Sequence, residues 1–143
     1  MVENLRDKIL STEGNRFYPG RYHLVGETGI LYTSLEKDVA VRELERHASR
    51  NVLRQGLVVG KVRIRLKKVL DLTQEANLRH LGLSKGDLIS PDHSLTQAIS
   101  LQARKAGFQG LIVPSATGQG NKLVVFENNL AEGSLIEVEQ ISV

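Results

Sequence analysis

The chain contains no cysteine and no tryptophan, one methionine and only three prolines. Without cysteine there can be no disulfide framework, no thiolate nucleophile and no zinc–thiolate site, and the composition suits a reducing compartment. No apolar run approaches the roughly 18 residues of a membrane span. The segment Met1 to Lys8 carries Glu3, Arg6, Asp7 and Lys8 and lacks the apolar stretch of a secretion signal, so a cytoplasmic protein is expected. Charge of one sign is also lacking: 19 basic against 16 acidic residues leave a net charge of +3. That balance is too even to argue for direct nucleic-acid binding. His23, His47, His80 and His93 show no metal-ligand spacing, so no metal site is expected. Aromatic residues are few, three Tyr and three Phe, yet Phe17, Tyr18 and Tyr22 fall close together.

The 143 residues suit one domain spanning 1–143, with 41% hydrophobic and 24% charged residues as in ordinary globular proteins. Residues 1 to about 10 read as a weak helix or a frayed start. The stretch from Gly14 to Gly29, with Pro19, Gly20 and Gly26, reads as a long irregular loop of the kind that carries function. Ile30 to Tyr32 is a short apolar strand. Thr33 with Glu36 matches a capping box opening a helix over about 35–50, with Val39, Ala40, Glu43, Leu44 and His47 spread over one side. From Val58 to Leu66 the chain alternates: Val58, Gly60, Val62, Ile64 and Leu66 share one face, and Val59, Lys61, Arg63 and Arg65 the other. A helix is predicted from Thr73 to Leu81, ended by Gly82. A second is predicted after a Ser94/Gln97 capping box, supported by Leu95, Ala98, Ile99 and Ala106 and ended by Gly107. Gly110–Val113 and Leu123–Phe126 read as buried strands joined by the polar loop Ser115–Asn121, and Leu135–Val143 as a last strand. Strands and helices do not alternate regularly, which favours an α+β fold over a doubly wound sheet.

Arg21, Tyr32 and Glu43 follow one another at intervals of eleven residues. Arginine presents a planar fork of donors suited to phosphate, and Arg21 reads either as a phosphate ligand or as a solvated surface residue, with Arg16 a rival in the same loop. Tyr32 reads as a ring packed on a flat ligand or as a core tyrosine. Glu43, sharing a helix side with Val39, Ala40 and His47, reads as a partly buried carboxylate that could stabilise a developing cation, or as a solvated helix residue. Glu45, two positions on, would point to another side of that helix. Ser115 ends a buried strand, and the loop through Gly118, Gly120 and Asn121 could hold phosphate or ribose, or be an ordinary connection. Lys61, Arg63 and Arg65, continued by Lys67 and Lys68, form a basic strand face that could meet an acidic partner or nucleic acid, or simply be solvated.

Four pieces, Pro19-Gly20-Arg21-Tyr22-His23, Gly29-Ile30-Leu31-Tyr32-Thr33-Ser34, Ala40-Val41-Arg42-Glu43 and Gly110-Leu111-Ile112-Val113-Pro114-Ser115-Ala116, together resemble the RES-domain family of bacterial toxins. The family pattern falls on Arg21, Tyr32, Glu43, Ser115 and Asn121. His23 departs from it, since many members carry Asn there, and the part before Gly14 is shorter than in typical members. The resemblance implies an ADP-ribosyltransferase-like fold, a compact mixed β-sheet core flanked by helices. It implies a toxin that degrades NAD at the nicotinamide–ribose bond, with Glu43, Arg21 and Tyr32 catalytic and Arg21, Tyr32, Ser115 and Asn121 binding the dinucleotide. Water, phosphate or a protein could accept the ADP-ribosyl group, so glycohydrolase, phosphorylase and protein ADP-ribosyltransferase activities all stay open. It further implies an Xre-type antitoxin partner that itself binds DNA, and it allows a homo-oligomer within that complex. A non-enzymatic binding domain using the basic strand face is the remaining alternative.

Overall fold

The computed structural model describes residues 10–35, 59–117 and 120–142. In chain order these form β1 (Ile30–Ser34), β2 (Val59–Arg65), β3 (Val69–Asp71), α1 (Glu75–Leu81), α2 (Lys85–Ile89), α3 (Ser94–Lys105), β4 (Gly110–Pro114), β5 (Asn121–Phe126) and β6 (Leu135–Ser142). Short 3-10 turns occupy Glu13–Arg16 and Glu127–Asn129.

Four strands make a mixed sheet in the order β1-β5-β4-β3: β1 with β5 and β5 with β4 are antiparallel, β3 with β4 is parallel. The strands β2 and β6 pair antiparallel as a separate ribbon. Alternation along the central strands divides their side chains between two cores. Ile30, Leu72, Leu111, Val113, Val124 and Phe126 pack with Leu78, Leu88 and Ala103 of the helices. Leu31, Leu123 and Val125 pack with Ile64, Leu66 and Ile136 of the ribbon side. The architecture is therefore α+β, with helices on one face of the mixed sheet and the ribbon on the other.

Most elements lie where the hydrophobic pattern puts them. Gly82 ends α1 with φ +70°, a left-handed conformation that glycine adopts without strain. Two capping assignments are corrected. Thr33 lies inside β1, and its hydroxyl donates across the ladder to the Leu123 carbonyl at 2.8 Å rather than opening a helix. At α3 the cap residue is His93. The Ser94 hydroxyl donates to Asp92 and the Gln97 amide reaches the distant carbonyls of Gly20 and His23. The real capping box is Ser84 with Asp87 at the start of α2, a helix too short to show periodicity. Nor does α3 bury the apolar stripe expected of it. Leu95 is exposed, whereas Thr96, Ser100 and Ala103 are buried. The predicted helix carrying Glu43, Leu44, Glu45 and His47, and the first nine residues, lie outside the described residues.

Candidate functional site

The loop before β1 folds back on itself. Gly20 and His23 bond each other's backbone in both directions, N to O at 3.0 Å and 3.5 Å, so Arg21 and Tyr22 become the two central residues of a tight turn. The first turns of α3 grip this turn from outside. The Thr96 hydroxyl donates to the Arg21 carbonyl, and Gln97 Nε2 donates to the carbonyls of Gly20 at 2.8 Å and His23 at 3.2 Å. That contact explains why α3 buries polar side chains: backbone carbonyls buried in a loop need donors from somewhere.

Arg21 leaves the turn toward α2. Its Nη1 donates to the carbonyl oxygens of Leu88, at 3.1 Å, and Ser90. Both contacts use one nitrogen of a five-donor fork, and they place a cation where the helix end is negative. Arg21 thus ties the turn to the helical layer.

Tyr32 lies on the helix-side face of β1, beneath the turn. Its hydroxyl oxygen accepts the Tyr22 backbone N–H at 3.0 Å and lies 2.6 Å from His23 Nδ1. His23 Nε2 lies 2.7 Å from the Tyr18 carbonyl oxygen. A carbonyl can only accept, so Nε2 carries the proton. In the neutral imidazole Nδ1 is then an acceptor, and the Tyr32 hydroxyl donates to it. Burial pushes the Tyr32 phenol above its ordinary range, against the opposing influence of the Tyr22 amide, so the hydroxyl keeps its proton. Gly20 makes this packing possible. A Cβ there would lie 2.5 Å from His23 Cε1 and 2.7 Å from the Tyr32 hydroxyl oxygen. Near the base of the loop Glu27 pairs with Arg104 of α3 at 2.7 Å, both side chains largely buried. Burial alone would raise the Glu27 carboxyl, but the Leu24 amide and Arg104 together hold it below its usual range.

One end of the sheet gathers the remaining candidates. Ser34 of β1 pairs with Lys122 of β5, and Lys122 with Val113 of β4. Lys122 therefore shares the face of Tyr32, and its ammonium lies 5.4 Å from the Tyr32 ring centroid. Ser115 follows β4 at the same end, fully buried. Its hydroxyl lies 2.9 Å from the Thr117 hydroxyl and accepts the Thr117 N–H at 3.2 Å. Asn121 precedes Lys122, so alternation puts its side chain on the opposite face, that of Leu123 and Val125, while its carbonyl accepts the Leu35 N–H. The fold thus brings Tyr32, His23 and the Arg21 turn together, with Lys122 against the same ring, and sets Asn121 on the other side of the sheet. Glu43 lies outside the described residues. Apart from the absence of metal-ligand spacing, His23 entered the sequence reading only as a departure from the family pattern, and Lys122 did not enter it at all. The only signal for Lys122 was its even spacing from Val124 and Phe126 along a strand.

Two further features bear on the alternatives. Of the basic strand face, Lys61 and Arg63 both reach Glu139 of β6, at 3.5 Å and 2.7 Å, which neutralises part of that stripe. A cavity of about 430 Å³ between α1 and α2, lined by Thr73, Arg79, Ser84 and Lys85 among others, contains none of the predicted site residues. Among the described residues no group of three or more His, Asp or Glu could hold a metal ion, and no helix is long and apolar enough to cross a membrane.

Comparison with known proteins follows this geometry. A Mycobacterium tuberculosis protein named as a probable NAD(+) phosphorylase, Rv3189, is 41% identical over 116 residues, covering 78% of this chain and 55% of that protein. The chain thus spans little more than half the length of this relative. The NAD(+) phosphorylase MbcT of M. tuberculosis and of Mycobacterium bovis is 27% identical over 132 residues, covering 88% of this chain and 71% of MbcT. The crystal structure of the M. tuberculosis MbcT–MbcA toxin–antitoxin complex contains a chain that superposes with a TM-score of 0.79 at 27% identity, covering 93% of this chain and 75% of that one. The profile of the RES domain matches residues 3–142, and this chain belongs to the RES domain family.

Proposed function

We propose that this chain cleaves the nicotinamide–ribose bond of NAD and passes the ADP-ribosyl group to inorganic phosphate, acting as the toxin of a toxin–antitoxin pair. The observation that carries this reading is the 41% identity over 116 residues to a protein named as a probable NAD(+) phosphorylase. The partner and the cytoplasmic setting are inferred from the structural likeness to a chain of a toxin–antitoxin complex.

In the reaction the bond from ribose C1″ to the nicotinamide nitrogen breaks, and its electron pair leaves with nicotinamide. A phosphate oxygen then forms the new bond to C1″. The sugar passes through an oxocarbenium-like state, as in glycoside hydrolysis. Nicotinamide in NAD is a cation, and the electron-rich face of a tyrosine ring attracts such a group. In this reading Tyr32 packs against the nicotinamide ribose and Arg21 holds the pyrophosphate through the part of its fork not turned to α2. Glu43 stabilises the sugar cation, and Ser115 fixes the ribose or the amide; Asn121, on the opposite face of the sheet, takes no part. Lys122 is placed beside Tyr32 to hold the incoming phosphate.

Mass spectrometry of the products from purified protein and NAD, with and without phosphate, tests this. Nicotinamide and ADP-ribose 1″-phosphate, formed only when phosphate is present, are expected. Free ADP-ribose as the sole sugar product in phosphate would instead make the chain a glycohydrolase. Label from NAD on a lysate protein would make it a transferase. No nicotinamide release under any of these conditions would reject the whole reading.

A further inference from the structure

Resting on the NAD-cleaving reading above, we propose that His23 is a positioning residue that sets the direction of the Tyr32 hydroxyl dipole in the active site. His23 is buried, 4% exposed, and both ring nitrogens are engaged. The Tyr18 carbonyl fixes its tautomer, and the tautomer in turn draws the Tyr32 proton toward Nδ1. With the Tyr22 N–H on one lone pair, the Tyr32 oxygen keeps its other lone pair without a donor among the described residues. The phenol therefore offers the developing sugar cation a ring face and an oxygen lone pair, and turns its proton away. Gly20, by lacking a side chain, lets the imidazole and the phenol meet at this distance.

A second proton on His23 reverses the arrangement. Nδ1–H must then donate to the Tyr32 oxygen, which already accepts from Tyr22, and the phenolic proton has to turn outward. A fixed positive charge also arrives next to the ring. Both changes disfavour a cationic transition state while leaving ground-state packing of the dinucleotide nearly intact, so kcat should move more than KM. Among the described residues the charged groups around His23 are Glu27 on its own loop and Arg104 of α3, which pairs with Glu27. Arg21 in the turn and Lys122 of β5 bring further positive charge toward Tyr32 from the other elements.

The test compares wild type, His23→Asn and His23→Phe. Asparagine keeps an acceptor oxygen at the position of Nδ1 and never titrates. His23→Phe should lower kcat more than it raises KM, and His23→Asn should restore kcat by keeping an acceptor for the Tyr32 hydroxyl. His23→Asn should keep kcat within about 3-fold at neutral pH and His23→Phe should lose roughly 10-fold, less than a group touching the reacting atoms would. A kcat for His23→Phe equal to that of His23→Asn, or a change confined to KM, would overturn the proposal. Long-range proton–nitrogen NMR of wild type at neutral pH gives a readout free of activity: a proton on Nδ1 and none on Nε2 would also overturn it. Failure of wild type to release nicotinamide would instead count against the NAD-cleaving reading itself.

Discussion

Replacing Gly20 by alanine adds one methyl group at the most crowded point of the candidate site. Its carbon would lie 2.5 Å from His23 Cε1, 2.7 Å from His23 Nδ1 and 2.7 Å from the Tyr32 hydroxyl oxygen. Non-bonded carbon contacts prefer about 3.5–4.0 Å, so the rings would have to retreat by roughly 1 Å. They cannot do so freely, because His23 is bonded at 2.6 Å and 2.7 Å on its two nitrogens. Gly20 is not in the left-handed region, so no backbone strain adds to this. Overpacking of this kind costs about 1–3 kcal/mol, and loosening one hydrogen bond about 1 kcal/mol more, which together give roughly 2–4 kcal/mol. For a chain of this size that corresponds to a fall in Tm of roughly 10 °C. Thermal unfolding followed by circular dichroism measures it. Adding His23→Ala should remove the two imidazole contacts and leave the Tyr32 hydroxyl room to move, so the two substitutions together should cost less than their sum by about 1–2 kcal/mol. A Gly20→Ala protein melting within about 2 °C of wild type, or a double variant that is simply additive, would refute the described packing.

Glu43→Ala should lower nicotinamide release by at least ~10²-fold with an unchanged Tm, the scale for losing one aimed electrostatic group. Near-wild-type release would remove Glu43 from the mechanism. Arg21→Lys should lower stability in urea by about 1–2 kcal/mol, because an ammonium on a shorter, flexible stem is not held in place for both carbonyls as the rigid guanidinium Nη1 is. An unchanged urea midpoint would mean that the contacts to Leu88 and Ser90 contribute nothing. Glu27→Gln should cost about 2 kcal/mol at neutral pH, through loss of a largely buried ion pair with Arg104. The folded Glu27 carboxyl titrates below its unfolded value, so its contribution is complete above the ordinary glutamate pKa of about 4.3 and is lost as pH falls through the lower folded value. The stability gap between wild type and Glu27→Gln should therefore close in acid, and a gap that widens there would contradict the pairing.

Local periodicity was a sound guide wherever one face of an element meets an apolar layer. The alternation of Val62, Ile64 and Leu66 against Lys61, Arg63 and Arg65 is the alternation of the β2 ribbon, with its apolar side on the sheet and its charged side on Glu139. It failed where polar side chains are buried for the sake of other backbone. Gln97 read as half of a capping box and Thr96 carried no local signal, yet both serve carbonyls more than seventy residues earlier in the chain, which no local window can reveal. The apparent capping boxes at Thr33 and Ser94 failed for a different reason. At Thr33 the strand continues through Ser34, and at α3 the cap position falls on His93, so neither hydroxyl stands where a cap must accept; a motif of two residue types does not say where the helix begins.

The sequence by itself determined the α+β class, the main strands and helices, and the family, since these rest on short-range patterning and on motifs that keep their order along the chain. Only the tertiary structure decided that His23 locks the Tyr32 hydroxyl, that Arg21 grips the end of α2, and that Lys122 rather than Asn121 shares the ring's face. Those outcomes depend on strand register and on the closing of a tight turn against a distant helix. Both are settled by contacts between remote segments, so no residue read with its neighbours alone could announce them.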